Sequence, residues 1–156
     1  MRRLGLLVAV ILVAALGCVI PLGSPILGSG FTPYSSSSVR PPLVTRALVA
    51  YQGDLPALQS AGAVPIGGVA VEADGAASLA QIESTAGTLA AQYGGTHIVF
   101  GGASDRVSID GEGSHAEAYT SGHYEYWVYQ VPAEGWAALP PVLNPLSFSA
   151  PSSPEP

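Results

Sequence analysis

Residues 73–100, ADGAASLAQIESTAGTLAAQYGGTHIVF, decide the fold that this chain can adopt. Apolar side chains recur there at spacings of three or four residues: Leu79, Ile82, Ala86, Leu89 and Tyr93. This spacing is typical of one face of an amphipathic helix. Asp74 lies near its start, and the pair Gly94 and Gly95 follows it, as is common at a helix end. The pattern predicts one long helix over about residues 76–93.

A strand is predicted on each side of this helix. Residues 96–100, THIVF, form a compact run with high β-propensity, and residues 63–71, AVPIGGVAV, form another whose glycines indicate a bulge or a close backbone approach. A strand, a helix, a short turn and a strand favour a βαβ crossover with two parallel strands.

The remaining elements extend this unit in both directions. Residues 44–51 predict a short strand, and Asp54 as N-cap with Gly62 as stop predicts a short helix between them. Towards the C-terminus, alternating runs at 106–110 and 115–120 and a β-rich run at 124–132 are separated by turns at GEG and at Ser121 and Gly122. We therefore expect an α+β fold, with the long helix packed on a small mixed sheet that ends in an antiparallel meander.

This layout loosely resembles the small α+β domains of bacterial envelope lipoproteins, such as the Rcs stress sensor and the putative heavy-metal-binding domains. The resemblance consists of a strand, a helix ending in Tyr-Gly-Gly at residues 93–95, and the strand at 96–100. The Rcs sensor is stabilised by disulfides that a chain with one cysteine cannot form. The resemblance therefore implies a broad fold and no functional residue.

The N-terminus has the pattern of an export signal. Arg2 and Arg3 precede an uncharged apolar run over residues 4–20, which Pro21 ends. As a helix this run would reach about 25 Å, short of the ~30 Å hydrocarbon core of a bilayer. We expect residues 1–17 to be a cleaved signal peptide, and an undersized membrane helix is the alternative.

The only cysteine follows this run. Ala15, Leu16 and Gly17 precede Cys18, and the segment resembles the lipobox of bacterial lipoproteins, although that family usually has Leu in place of Ala15. The resemblance implies cleavage before Cys18, a thioether lipid on its sulfur and an acylated new amino terminus. An alkylated sulfur would also avoid the unwanted disulfides that a lone exported thiol invites. The alternative is a cysteine that merely packs in an apolar signal helix. Because Val19 stands where retention at the inner membrane often uses Asp, the resemblance favours the outer membrane.

Composition predicts a tether and a tail around one domain. Residues 18–42 are rich in Pro, Gly and Ser without periodicity, so we expect a flexible tether behind the lipid site. Residues 137–156 are rich in Pro and Ser and predict a tail that is disordered or loosely packed. The globular domain is then expected over residues 43–136.

Charge excludes several classes of partner. Removal of residues 1–17 would leave three arginines against eleven acidic residues, a net charge of −8, and the chain contains no lysine. Nucleic acid is therefore excluded as a partner, since it is bound by neutralising phosphates. Basic attraction to anionic lipid is excluded as well, so attachment to a membrane would need an apolar or covalent anchor.

A cluster of histidines and carboxylates lies at residues 110–125. If the strand there is continuous, side chains at alternate positions share one face, among them His115, Glu117, His123 and Glu125. Such a face could hold a divalent metal ion, whereas a solvent-facing hairpin is the simpler interpretation because no compact metal-binding spacing is present. His97, in a buried strand, is interpreted as a hydrogen-bonded core residue.

The aromatic run near the C-terminus allows two interpretations. Its members are Tyr124, Tyr126, Trp127 and Tyr129. They could bind a protein or a polysaccharide, or they could pack in the core on one face and cover the sheet on the other, which is the commoner use.

No catalytic motif or cofactor signature occurs in the sequence. We therefore expect a non-enzymatic binding, sensing or structural domain of the cell envelope, without a cofactor. A metal-binding envelope protein and a small exported hydrolase are the alternatives.

Overall fold

The structure is a computed structural model, which describes residues 25–35, 40–110 and 117–148. It is an α+β fold, as predicted, with a five-stranded mixed sheet in the order β1-β3-β5-β4-β2. The strands are β1 (Ile26–Pro33), β2 (Leu48–Ala50), β3 (Val64–Ala73), β4 (His97–Asp110) and β5 (Glu117–Gln130). The helices are α1 (Leu55–Ser60) and α2 (Leu79–Gln92). Among the described residues, no helix is both long and apolar enough to cross a membrane.

The long helix begins later than its apolar pattern predicts. Ser78 is the N-cap, because its side chain accepts from the Gln81 amide while the Gln81 side chain accepts from the Ser78 amide at 2.8 Å. Asp74 instead closes the preceding turn by accepting from the Ala76 amide. This reciprocal capping satisfies two amide donors that a helix start otherwise leaves unpaired.

The buried face of α2 differs from the predicted face. Ile82, Ala86 and Ala90 are buried, whereas Leu79 is exposed and Tyr93 lies at the surface. The contacts therefore come mainly from small side chains. They allow such a close approach that the Gly87 carbonyl accepts a hydrogen bond from the Ala47 amide at 2.9 Å.

The predicted crossover occurs, with one strand inserted into it. β3 and β4 run in the same direction, but β5 lies between them and is antiparallel to both. β2 pairs with β4 in parallel. The sheet thus places residues that are far apart in the sequence on neighbouring strands.

The C-terminal meander was predicted with too many turns. β4 and β5 are continuous 14-residue strands. Ser121 and Gly122 do not turn the chain, because they pair with Arg106 and Asp105 in the β4–β5 ladder. Gly101 and Gly102 lie inside β4, where the register of its pairing with β5 shifts. The predicted GEG turn lies outside the described residues.

Folded elements occur on both sides of the predicted domain bounds. Residues 26–33, expected in the flexible tether, form the edge strand β1, which pairs with β3 and stacks Phe31 on Tyr93 with ring centroids 4.3 Å apart. Residues 137–148, expected in the tail, form short 3-10 turns whose Leu139 and Leu143 are buried. The folded domain therefore reaches beyond residues 43–136 at both ends.

Each face of the sheet has its own apolar cluster. α2 covers one face over side chains such as Ile66, Val71 and Val128. On the other face, α1 and the C-terminal 3-10 turns cover the part formed by β2, β4 and the end of β5, around Leu58 and Val99. Among the residues that the structure describes, neither α1 nor these turns cover the part of this second face formed by β1, β3 and the middle of β5.

Candidate functional site

A groove lies on this open part of the sheet. Its volume is about 220 Å³, and its lining includes Thr32, Tyr34, Gly68, Ala70, Glu125 and Trp127. Strand register explains the arrangement. Thr32, Gly68 and Trp127 are neighbours in one row across β1, β3 and β5, and Gly30, Ala70 and Glu125 form the next row. We call this the open groove.

The floor of the open groove is low because β3 contributes small residues there. Gly68 has no side chain and lies between Thr32 and Trp127, whereas Ala70 has only a methyl group and lies between Gly30 and Glu125. A Cβ added at Gly68 would meet only the Tyr126 carbonyl oxygen, at 3.6 Å, which is ordinary contact. The floor could therefore be raised without displacing the backbone.

Trp127 forms the wall of the open groove on β5 and is 39% exposed. On its far side the indole lies close to β4, since a Cβ at Gly101 would be 3.3 Å from Trp127 Nε1. Tyr34, just after β1, is 58% exposed at the opposite side of the groove. Exposed aromatic rings beside a shallow floor suit the binding of a flat group.

The predicted aromatic run is divided between the two faces of the sheet. Tyr126 is buried under α2, and burial, followed by the nearby Glu83 carboxylate and Tyr124, raises its pKa to about 12. Tyr124 is partly buried beside it. Tyr129 packs against the second cluster, and burial together with Tyr34 raises its pKa. Of the four predicted aromatic residues, only Trp127 therefore presents a substantial surface to a ligand.

The histidine and acid cluster forms a network of polar contacts beside the open groove. His123 lies between two carboxylates, with Nδ1 3.7 Å from Glu72 Oε1 and Nε2 3.3 Å from Glu125 Oε1. Arg106 in turn contacts Glu72. The strand register brings these side chains together, because His123 is paired with Glu72 on β3 and with Ser104 on β4.

This network differs from the predicted metal face. The two carboxylates contact opposite nitrogens of His123, so they do not converge on a point that the imidazole could share. Among the described residues, no group of three or more His, Cys, Asp or Glu side chains is placed to hold a metal ion. His115 lies outside the described residues, and so does Cys18. Glu117 begins β5, eight positions before Glu125.

His97 is a core residue, as expected. Its imidazole is fully buried, with Nε2 2.7 Å from the Leu143 carbonyl oxygen and Nδ1 2.9 Å from Thr96 Oγ1. Burial lowers the pKa of His97, although the Leu143 carbonyl and Asp54 act in the opposite direction. These contacts hold the C-terminal turns against the sheet and leave the ring without access to a substrate.

Sequence reasoning missed Thr32, Tyr34 and Gly68 as parts of the site. Thr32 and Tyr34 lie in the segment expected to be a flexible tether. Gly68 was considered only for its effect on the strand. No local signal identifies them, because their relationship to Trp127 arises from the pairing of β1, β3 and β5.

Comparisons with known proteins do not show a family for this chain. No protein-family model matches it, and no curated protein matches it. A solved structure with some similarity is the crystal structure of the Francisella virulence factor FvfA, at 18% identity and a TM-score of 0.39. The match covers 65% of this chain and 95% of that chain. A likeness at this level does not indicate what this chain does.

Proposed function

We propose that this chain is an exported, lipid-anchored protein of the bacterial cell envelope, and that its domain binds a partner through the open groove without catalysing a reaction. The observation that supports binding most directly is the exposed indole of Trp127, at a part of the sheet that neither α2 nor the C-terminal turns cover among the described residues. Aromatic side chains in such positions commonly contribute much of a binding energy.

The sequence before the domain supports the proposed address. A positive start, an apolar run and small residues before Cys18 resemble the signal of bacterial lipoproteins, with Ala15 as the departure. Several acyl chains would hold an acidic protein on a membrane, because each buried methylene contributes about 0.8 kcal/mol. The outer membrane is favoured by Val19, which follows the cysteine.

The anchor is tested by the intact mass of the protein extracted from bacterial membranes, beside a Cys18→Ser variant. We expect the mass of a chain that begins at Cys18 and carries acyl chains, and we expect this species to be missing from the variant. An unmodified mass in the parent protein would contradict the proposed anchor.

Binding through the open groove is tested in living cells with a photoreactive phenylalanine analogue at position 34. The matched control carries the analogue at Tyr51, which is also an exposed tyrosine but follows β2 at the opposite edge of the sheet. We expect a discrete crosslinked product from position 34 only. Equal crosslinking from both positions, or none from position 34, would contradict a binding role for the groove.

A further inference from the structure

The walls of the open groove combine a π-face with a carboxylate. Trp127 and Glu125 are two residues apart on β5, so both side chains project on the same face of the sheet. The Glu125 side chain is 66% exposed, and one of its oxygens, Oε1, lies 3.3 Å from His123 Nε2. Within the described part of the chain, no other hydrogen bond engages this carboxylate, so it can accept from a ligand.

No basic side chain of the described residues lines this groove. Arg106 contacts Glu72, Arg46 Nη1 lies 3.5 Å from Ser84 Oγ on α2, and Arg40 lies beside Gly94, just after the end of α2. The groove therefore offers a negative charge and aromatic rings without an internal cation. The acidic balance of the chain adds attraction for a positive partner.

We propose that the open groove binds the guanidinium group of an arginine side chain from a basic segment of a partner protein. This rests on the proposed function, in which the same groove binds a partner, and it assigns the chemistry of that partner. Trp is the best aromatic partner for a cation, and a planar guanidinium can stack on an indole while it donates two hydrogen bonds to a carboxylate.

The shape of the groove favours guanidinium over a tetrahedral ammonium. Gly68 and Ala70 leave a shallow floor between Trp127 and Thr32, and a flat group can lie there against the indole. The edge of the bound guanidinium group then points along the sheet towards Glu125, which is in the next row of the register. The Thr32 hydroxyl and the Tyr34 hydroxyl supply further acceptors at the rim.

The test is an NMR titration of the full chain in detergent micelles with N-acetyl-arginine amide. The two indole N–H signals serve as reporters, because Trp127 lines the groove whereas Trp136 is buried and donates to the Val131 carbonyl. We expect the Trp127 signal to shift and saturate while the Trp136 signal stays. Raising the ionic strength from about 0.02 M to about 0.5 M should weaken the binding.

Matched ligands separate charge from shape. Nα-acetyl-citrulline amide has a planar side-chain group of almost the same shape without the charge. Nα-acetyl-lysine amide has a charged side chain without a planar group. We expect each to bind at least about fivefold more weakly than the arginine compound. Equal binding of either one would overturn the assignment to guanidinium.

Matched variants locate the site. Glu125→Gln keeps the side-chain shape and removes the charge, and Gly68→Ala raises the floor where only ordinary contact is expected. We expect each to weaken arginine binding at least about fivefold. The control Gly28→Ala also adds a methyl group to open space on a strand, but it lies in the row of Glu72 and should bind as the parent does.

The outcomes distinguish this inference from the function on which it rests. Crosslinking from position 34 together with no shift of the Trp127 signal by arginine would overturn the guanidinium assignment and leave the binding role in place. If an oligosaccharide of N-acetylglucosamine shifts the Trp127 signal and arginine does not, the guanidinium assignment is likewise overturned and the binding role stays. The ligand would then be a glycan. Failure of both crosslinking and arginine binding would overturn both proposals.

Discussion

The Nε2 nitrogen of His97 lies 2.7 Å from the carbonyl oxygen of Leu143, which joins the first residue of β4 to a turn near the C-terminus. A carbonyl oxygen can only accept, so Nε2 carries the proton, and Nδ1 of the neutral ring accepts from the Thr96 hydroxyl. The same hydroxyl oxygen accepts from the Val131 amide at 2.8 Å. This buried chain of hydrogen bonds connects β4, the end of β5 and the C-terminal turns.

The first prediction is that His97 makes the free energy of unfolding depend on pH. Because burial lowers the pKa of folded His97 below its ordinary value of 6.5, the unfolded chain takes up a proton at a higher pH than the folded protein does. The stabilisation that His97 contributes is therefore fully present above pH 6.5. It is lost as the pH falls from 6.5 to the pKa of His97 in the folded protein. One group contributes a slope of at most about 1.4 kcal/mol per pH unit.

Urea unfolding between about pH 7.5 and about pH 5 checks this prediction. His97→Gln should reduce the slope, because its amide can still donate to Leu143 but does not titrate. His123→Gln is the control and should keep the His97 component. Identical slopes for the parent and His97→Gln would show that His97 does not carry the dependence.

The second prediction concerns the Thr96 hydroxyl. Thr96→Val preserves the shape of the side chain but leaves both the buried Val131 amide and His97 Nδ1 without their partner. We expect it to lower the free energy of unfolding by about 3 kcal/mol, since each unpaired buried group costs about 1–3 kcal/mol. Thr96→Ser keeps the hydroxyl and should cost only about 1 kcal/mol. Equal losses in the two variants, measured by urea unfolding, would contradict a hydrogen-bonding role.

The third prediction concerns the segment expected to be a loose tail. Leu143 is buried, and its neighbour Val142 is exposed. Leu143→Ala should lower the free energy of unfolding by about 2–4 kcal/mol, as for other buried leucines. Val142→Ala is the matched control and should change it by less than about 0.5 kcal/mol. Thermal and urea unfolding of both variants check this prediction. If Leu143→Ala changed the free energy of unfolding as little as the control does, the segment would not be packed on the domain.

The fourth prediction concerns the close approach of α2 to the segment before β2. Gly→Ala in a helix normally stabilises it by about 1 kcal/mol. At Gly87, however, the new Cβ would lie 2.7 Å from the Ala47 carbonyl oxygen, so the helix or that segment must move. We expect Gly87→Ala to destabilise the fold by about 1–2 kcal/mol. Thr88→Ala, at an exposed position of the same helix, should be close to neutral in the same unfolding measurement.

The elements that could be predicted are those with strong local signals. α1 was predicted from Asp54 and Gly62, and Gly62 indeed ends it with a φ of 82°. β3 was predicted with its irregularity, and a register shift occurs between Pro65 and Gly67. At Gly67 the approach of Phe31 and Thr32 leaves no room for a side chain.

Where local signals and pairing disagreed, pairing decided the structure. β1 has the composition of a linker, but its hydrogen bonds to β3 and the contact of Phe31 with Tyr93 hold it in the sheet. Ser121 and Gly122 have the composition of a turn, but the partners that β4 offers on one side keep β5 extended. Composition describes what a segment prefers alone, and these contacts come from elsewhere in the chain.

By itself, the sequence determined the α+β class, the main helix, the core role of His97 and the acidic charge balance, because each depends on local periodicity or on composition. Only the tertiary structure decided the open groove. Its floor comes from β3, its walls come from Trp127 and Glu125 on β5, and Thr32 and Tyr34 come from the N-terminal edge. These residues become neighbours because β5 lies beside β3 and β3 lies beside β1, and strand order depends on contacts between distant segments that no local pattern records.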